Sequence, residues 1–127
     1  MATPTLEIPR ETWLPYFNEL SRLYQGWAVT IEIIAGDLGE HPRADDLPLQ
    51  GLSYDPAGSQ AGDILVEVGD AGMPYETHLI HKPRTVRAAV TNPGAEADLD
   101  IESEEGTTTL LRIRRRRELP QPGRADA

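Results

Sequence analysis

The sequence predicts an α+β fold: an N-terminal helix packed on one face of an antiparallel sheet of five or six strands, with curling into a small barrel left open as a variant. Three observations lead there. Apolar residues recur at spacings of three and four over residues 12–25. From Trp27 onward the period falls to two. The segments between later apolar runs are too short for a crossover helix, so neighbouring strands must run antiparallel.

The helix places Trp13, Phe17, Leu20 and Tyr24 on one face, with Trp27 continuing the series, and Asn18, Glu19, Ser21, Arg22 and Gln25 on the other. Pro15 sets its start, because a proline ring in a helix interior clashes with the carbonyl four residues back. The helix therefore begins near Thr12, leaving Pro15 in the first turn. Gly26 supplies the left-handed residue that ends it. Three and a half turns are marginal in isolation, so this segment needs a sheet to lie on.

Trp27, Val29, Ile31 and Ile33 form the buried side of the first long strand, and Ile34 interrupts its polar side. Ala35–Pro48, rich in Gly, Pro and Asp, reads as a surface loop. Strands follow at Leu49–Asp55 and Asp63–Gly69, joined through Pro56-Ala57-Gly58. His78–His81 forms a short strand, and Pro83 marks an edge or break before a second stretch at Thr85–Thr91. The last hairpin can be read to the residue. A three-residue loop Glu104-Glu105-Gly106 sets Ile101 opposite Thr109, Leu99 opposite Leu111 and Ala97 opposite Ile113 on one face. Asp98 then faces Arg112, and Glu96 faces Arg114, on the other. A two-residue loop would mix the faces, since a slip of one residue inverts every side chain. Residues 1–118 thus form one domain, and 119–127 read as a disordered tail.

Composition narrows the function. The 127 residues carry a net charge of −9 and no Cys, which excludes disulfide frameworks, Cys-ligated zinc, iron–sulfur clusters and thiol catalysis. No apolar run nears the roughly 18 residues that span a bilayer, and the start lacks a leader pattern, so the expected location is the cytoplasm. Residues 1–111 hold 19 acidic and 6 basic side chains, whereas 112–127 hold 2 and 6. An acidic body repels phosphate backbones and argues against nucleic acid as the main partner.

Several short motifs, in order, resemble a small bacterial family catalogued as a domain of unknown function. They are Ile8-Pro9-Arg10-Glu11 with Trp13 and Phe17, Leu49 and Gly51 with Tyr54-Asp55-Pro56, His78-Leu79-Ile80 with Pro83, and Gly106 before Leu111-Arg112. The likeness spans residues 8–118. It implies a helix followed by antiparallel strands and carries no activity, cofactor or catalytic residue with it.

The candidate chemistry is sparse. His78 and His81 form an H-x-x-H, but on a strand positions three apart point to opposite sides, so the pair does not make a metal site, and Glu76 and His41 are partners in type only. Asp98, Asp100, Glu102 and Glu104 share a strand face with Arg112, Arg114 and Arg116 opposite, which reads as a solvated charge ladder rather than a calcium site. No serine lies in a G-x-S-x-G elbow, and no glycine-rich phosphate loop follows a strand. The leading reading is a non-catalytic binding or assembly module, with a protein partner or a second copy of itself and no metal or cofactor. Its contact would use a sheet edge or the uncovered sheet face, with Ile34, Tyr54, Leu65 and Leu110 as the apolar part and Arg114, Arg115, Arg116 and Arg117 as a basic rim. The alternative is a small ligand-binding or hydrolytic domain with its site at His78 and Asp55.

Overall fold

The polypeptide leaves a two-residue strand, β1 (Leu6–Glu7), makes a single 3-10 turn and enters helix α1 (Trp13–Tyr24). This computed structural model describes residues 5–35, 40–57, 62–69, 76–90 and 96–115. Seven more strands follow: β2 (Ala28–Ala35), β3 (Glu40–Asp55), β4 (Asp63–Val68), β5 (Glu76–His81), β6 (Pro83–Val90), β7 (Ala97–Ser103) and β8 (Thr107–Arg114). All pairings are antiparallel, in the order β1-β6-β7-β8-β2-β3-β4-β5.

The helix is bounded as its sequence dictates. Pro15 sits in its first turn, and Gly26 follows it at φ +86°. Trp13, Phe17, Leu20 and Tyr24 are all buried, against core side chains that include Val29, Ile31, Leu52 and Val66. One residue on the nominally polar side is structural. Ser21 Oγ donates to the carbonyl of Leu52 at 2.5 Å and accepts the Leu52 N–H at 2.6 Å. Just beyond the helix, Gly26 N–H donates to Leu49 O, and Leu49 N–H to Trp27 O. These bonds satisfy the side of β3 from which β2 has departed, because β2 pairs with residues 40–48 while β4 pairs with residues 49–55.

Among the described residues the sheet has eight strands rather than five or six, and it is not closed into a barrel. The expected loop over 35–48 is strand from Glu40 onward, because β2 supplies a ladder that overrides the turn-prone composition. The one-residue junction at Lys82 (φ +51°) separates β5 from β6, which stand far apart in the strand order. Lys82 N–H donates to Gly62 O, and Lys82 O accepts from Glu104 N–H. No ladder forms between β5 and β6.

The closing hairpin shows the register read from its sequence: Ala97 faces Ile113, Asp98 faces Arg112, Leu99 faces Leu111 and Ile101 faces Thr109. Gly106 takes φ +88° in the loop. Its inward residues are buried, including Ser103, whose hydroxyl accepts from the N–H groups of Glu105 and Thr107. The expected tail at 119–127 lies outside the described residues.

Candidate functional site

Three neighbourhoods hold the side chains singled out above. The first is the corner at Lys82. Arg10 donates to Pro83 O at 2.6 Å and to the Tyr54 hydroxyl at 3.4 Å, and its guanidinium lies 4.3 Å from the Trp13 ring centre. Tyr54 meets Trp13 edge-on at 5.2 Å and packs on the core. Tyr54 therefore belongs to the helix-covered face and not to the second face. A register shift between Leu49 and Gly51 inverts the alternation of β3, so Leu49, Leu52 and Tyr54 all turn inward. Asp55 caps the following turn by accepting the Ala57 N–H at 3.0 Å.

His78 and Asp55 are not brought together. His78 stands opposite Val66, on the core side of β5, whereas Asp55 stands in a row with Asp63 and His81 on the outer side. The second histidine is the one with a carboxylate: His81 Nδ1 lies 3.0 Å from Asp63 Oδ1. The sequence alone does not reveal this pair, because nothing along the chain shows that Asp63 is the cross-strand neighbour of His81. Among the described residues, no group of three or more His, Asp or Glu is arranged to hold a metal ion.

The second neighbourhood is the outer side of β6, β7, β8 and β2. Arg114 bonds Asp98 at 2.8 Å and lies 3.7 Å from Glu96; Arg112 lies 3.3 Å from Glu32; Arg84 and Arg87 reach the two oxygens of Glu102 at 3.1 and 3.3 Å. The charge ladder is real, but it is wider than its hairpin. Glu102 takes its counter-ions from β6, and Arg112 takes its from β2. Hydrogen bonds from Arg84 and then Arg87 hold the Glu102 carboxyl below its ordinary range. Asp100 has the opposite environment: burial first, then the Glu102 charge, push its carboxyl up, with Arg87 opposing, and its Oδ1 is buried without a hydrogen bond. It lines a shallow depression of about 440 Å³ together with Arg87, Asp98, Leu110 and Arg112. Ile34 and Leu110 are half-buried on this face, and Arg115 lies over the Trp27 ring at 5.4 Å. Arg116 and Arg117 lie outside the described residues.

The third neighbourhood is the outer side of β4 and β5. Ser53, Leu65 and Leu79 form one cross-strand row, and Leu79 is 44% exposed. No described strand pairs with the far edge of β5. The sequence signals for this site are Leu65, singled out above, and the apolar residue between Thr77-His78 and Ile80-His81.

No helix among the described residues is long and apolar enough to cross a membrane. No solved structure matches the chain. An uncharacterized protein of Aquifex aeolicus (strain VF5) is 30% identical over 117 residues, covering 92% of this chain and 98% of that protein. A family of unknown function, DUF5335, matches residues 4–122, nearly the whole chain. The protein belongs to the DUF5335 family.

Proposed function

We propose that the protein is a non-catalytic assembly module that associates with itself through the β4–β5 side of its sheet. The observation that carries this reading is the β5 edge, which no described strand covers, with Leu79 exposed next to Leu65 in a row that carries no charge. Apolar side chains beside unpaired backbone groups are what a second strand covers. The Arg-rich end is a poorer contact, because Arg114 is engaged with Asp98 and Glu96 and Arg115 with Trp27. Ile34 and Leu110 are half-buried within a face of ion pairs rather than gathered into an apolar patch.

Light scattering or sedimentation of the full chain over a wide concentration range tests the reading. A mass that rises toward a multiple of the 14.0 kDa chain as concentration increases is expected. A chain that remains monomeric throughout overturns it.

A further inference from the structure

We propose that β5 is the seat of a two-fold dimer in which Leu79 stands opposite Leu79 of a second copy, extending both sheets into one. This rests on the self-association just argued and adds its register. The direction of the backbone groups comes first. Lys82 N–H donates to Gly62 O, its opposite number on β4. Hydrogen-bonded and non-bonded positions alternate along an antiparallel pair, so Ile80, His78 and Glu76 also turn their backbone groups toward β4. Thr77, Leu79 and His81 turn theirs outward. The close approach of His81 to Asp63, 3.0 Å between side chains, fits the narrow non-bonded positions of such a ladder.

The outward edge is regular and undefended. The pairing of β5 with β4 runs from Asp63–His81 to Val68–Glu76 without a bulge, and β5 contains no proline, lysine or arginine. The opposite edge of the sheet, β1, is only two residues long. Pairing β1 with β5 of another copy would be head-to-tail and would build an open fibre, whereas pairing β5 with itself closes after two copies.

Side-chain identity then selects among the registers. Opposed residues in an antiparallel pair lie on the same face, so the two-fold axis must pass through a residue position. With the axis at His78, two imidazoles would meet and Leu79 would face Thr77. With the axis at Ile80, His78 would face Lys82, while Glu76 and Thr77 would have no partner. With the axis at Leu79, Leu79 faces itself, Thr77 faces His81, His78 faces Ile80, and Glu76 faces Lys82 of opposite charge. The outer face then carries an unbroken row from Leu65 through both Leu79 side chains to the second Leu65. The contact is one strand long, which places it among small, concentration-dependent interfaces of less than about 1,200 Å².

The absence of native cysteine makes single-cysteine variants a clean test in the full chain. Under mild oxidation Leu79→Cys alone is expected to form a covalent dimer, since directly opposed strand residues fall within disulfide range. Thr77→Cys and His81→Cys are each expected to stay uncrosslinked alone, because like positions would be about 13 Å apart, and to link when the two variants are mixed. All three sites are exposed, so folding is not at stake. A dimer by mass whose Leu79→Cys variant fails to crosslink overturns this register while leaving self-association standing. Linking of Thr77→Cys to Leu79→Cys, or of Leu79→Cys to His81→Cys, with no homodimer of either, does the same. A monomer at all concentrations overturns both.

Discussion

The outer side of the sheet is built in two ways. Over β6, β7, β8 and β2 the outward face is threaded by ion pairs, with arginines reaching Glu32, Glu96, Asp98 and Glu102, and Ile34 and Leu110 are half-buried among them. Over β3, β4 and β5 the middle row holds Ser53, Leu65 and Leu79, flanked by Asp63 and His81 at one end and by Glu67 and Thr77 at the other. The first region answers its own charges within the chain. The second leaves both apolar surface and a row of backbone groups to something else, and it lies at the sheet's edge while the first lies inward. Under the proposed reading, the described arginines Arg114 and Arg115 are engaged within the chain, whereas Leu79 is left exposed.

The largest expected effect comes from breaking the apolar half at its root. Gly62 immediately precedes β4 with φ +83°, and a Cβ there would sit 2.8 Å from Tyr54 Cε1 and 3.1 Å from the Asp55 carbonyl. Gly62→Ala combines left-handed strain with displacement of the ring that meets Trp13 and Arg10, and it should cost about 2–4 kcal/mol by urea denaturation. A loss below about 0.5 kcal/mol would show that the corner yields freely. Next in size is Leu79→Lys. It should hold the chain monomeric at concentrations where the native protein associates, while changing monomer stability by no more than about 0.5 kcal/mol, as expected of an exposed site. Association that survives this change would place the contact on the charged face instead. Salt provides a gentler lever: each copy carries −9, so raising ionic strength should strengthen dimerisation, and weakening with salt would point to ion pairs as the glue.

What the chain reveals in advance follows from how local each signal is. The helix and the β7–β8 hairpin were legible because Pro15, Gly26 and Gly106 punctuate clean periods, and the hairpin register follows from one loop length. The first half of β3 was not legible. Its Pro42, Asp45, Asp46 and Pro48 read as loop, and the pairing with the preceding strand β2 makes it a strand against that composition. Tyr54 was assigned to the wrong face because a register shift at Leu49–Gly51 leaves no mark in the alternation itself. The role of Ser21 escaped for a related reason: its partner, Leu52, is 31 residues away. Of the candidate surface, Leu65 and the choice between a sheet edge and an open face are readable in the sequence, but Leu79 and its strand are not, since which strand is outermost depends on the order of all eight.

The smallest effects set two carboxylates of one strand against each other. Glu102 is held by Arg84 and Arg87, and its lowered pKa stabilises the fold at pH values above the ordinary Glu range of about 4.3. That stabilisation is lost as pH falls through its depressed folded value, so Glu102→Gln should weaken the protein slightly at neutral pH and not at all in strong acid. Asp100 works with the opposite sign. Its pKa is raised in the folded state, so its ionised form is a burden that appears as pH rises through that raised value and is absent below the ordinary Asp range of about 3.9. Asp100→Asn should therefore stabilise the chain at pH 7, by less than about 1 kcal/mol because water still screens a group that is only part-buried, and the gain should fade on acidification. Denaturation curves of both variants at neutral and acid pH decide the matter. If Asp100→Asn instead weakens the fold at pH 7, the depression beside Leu110 holds its carboxylate in a favourable contact, and the charged half of the sheet is not the self-completed surface that distinguishes it from the edge.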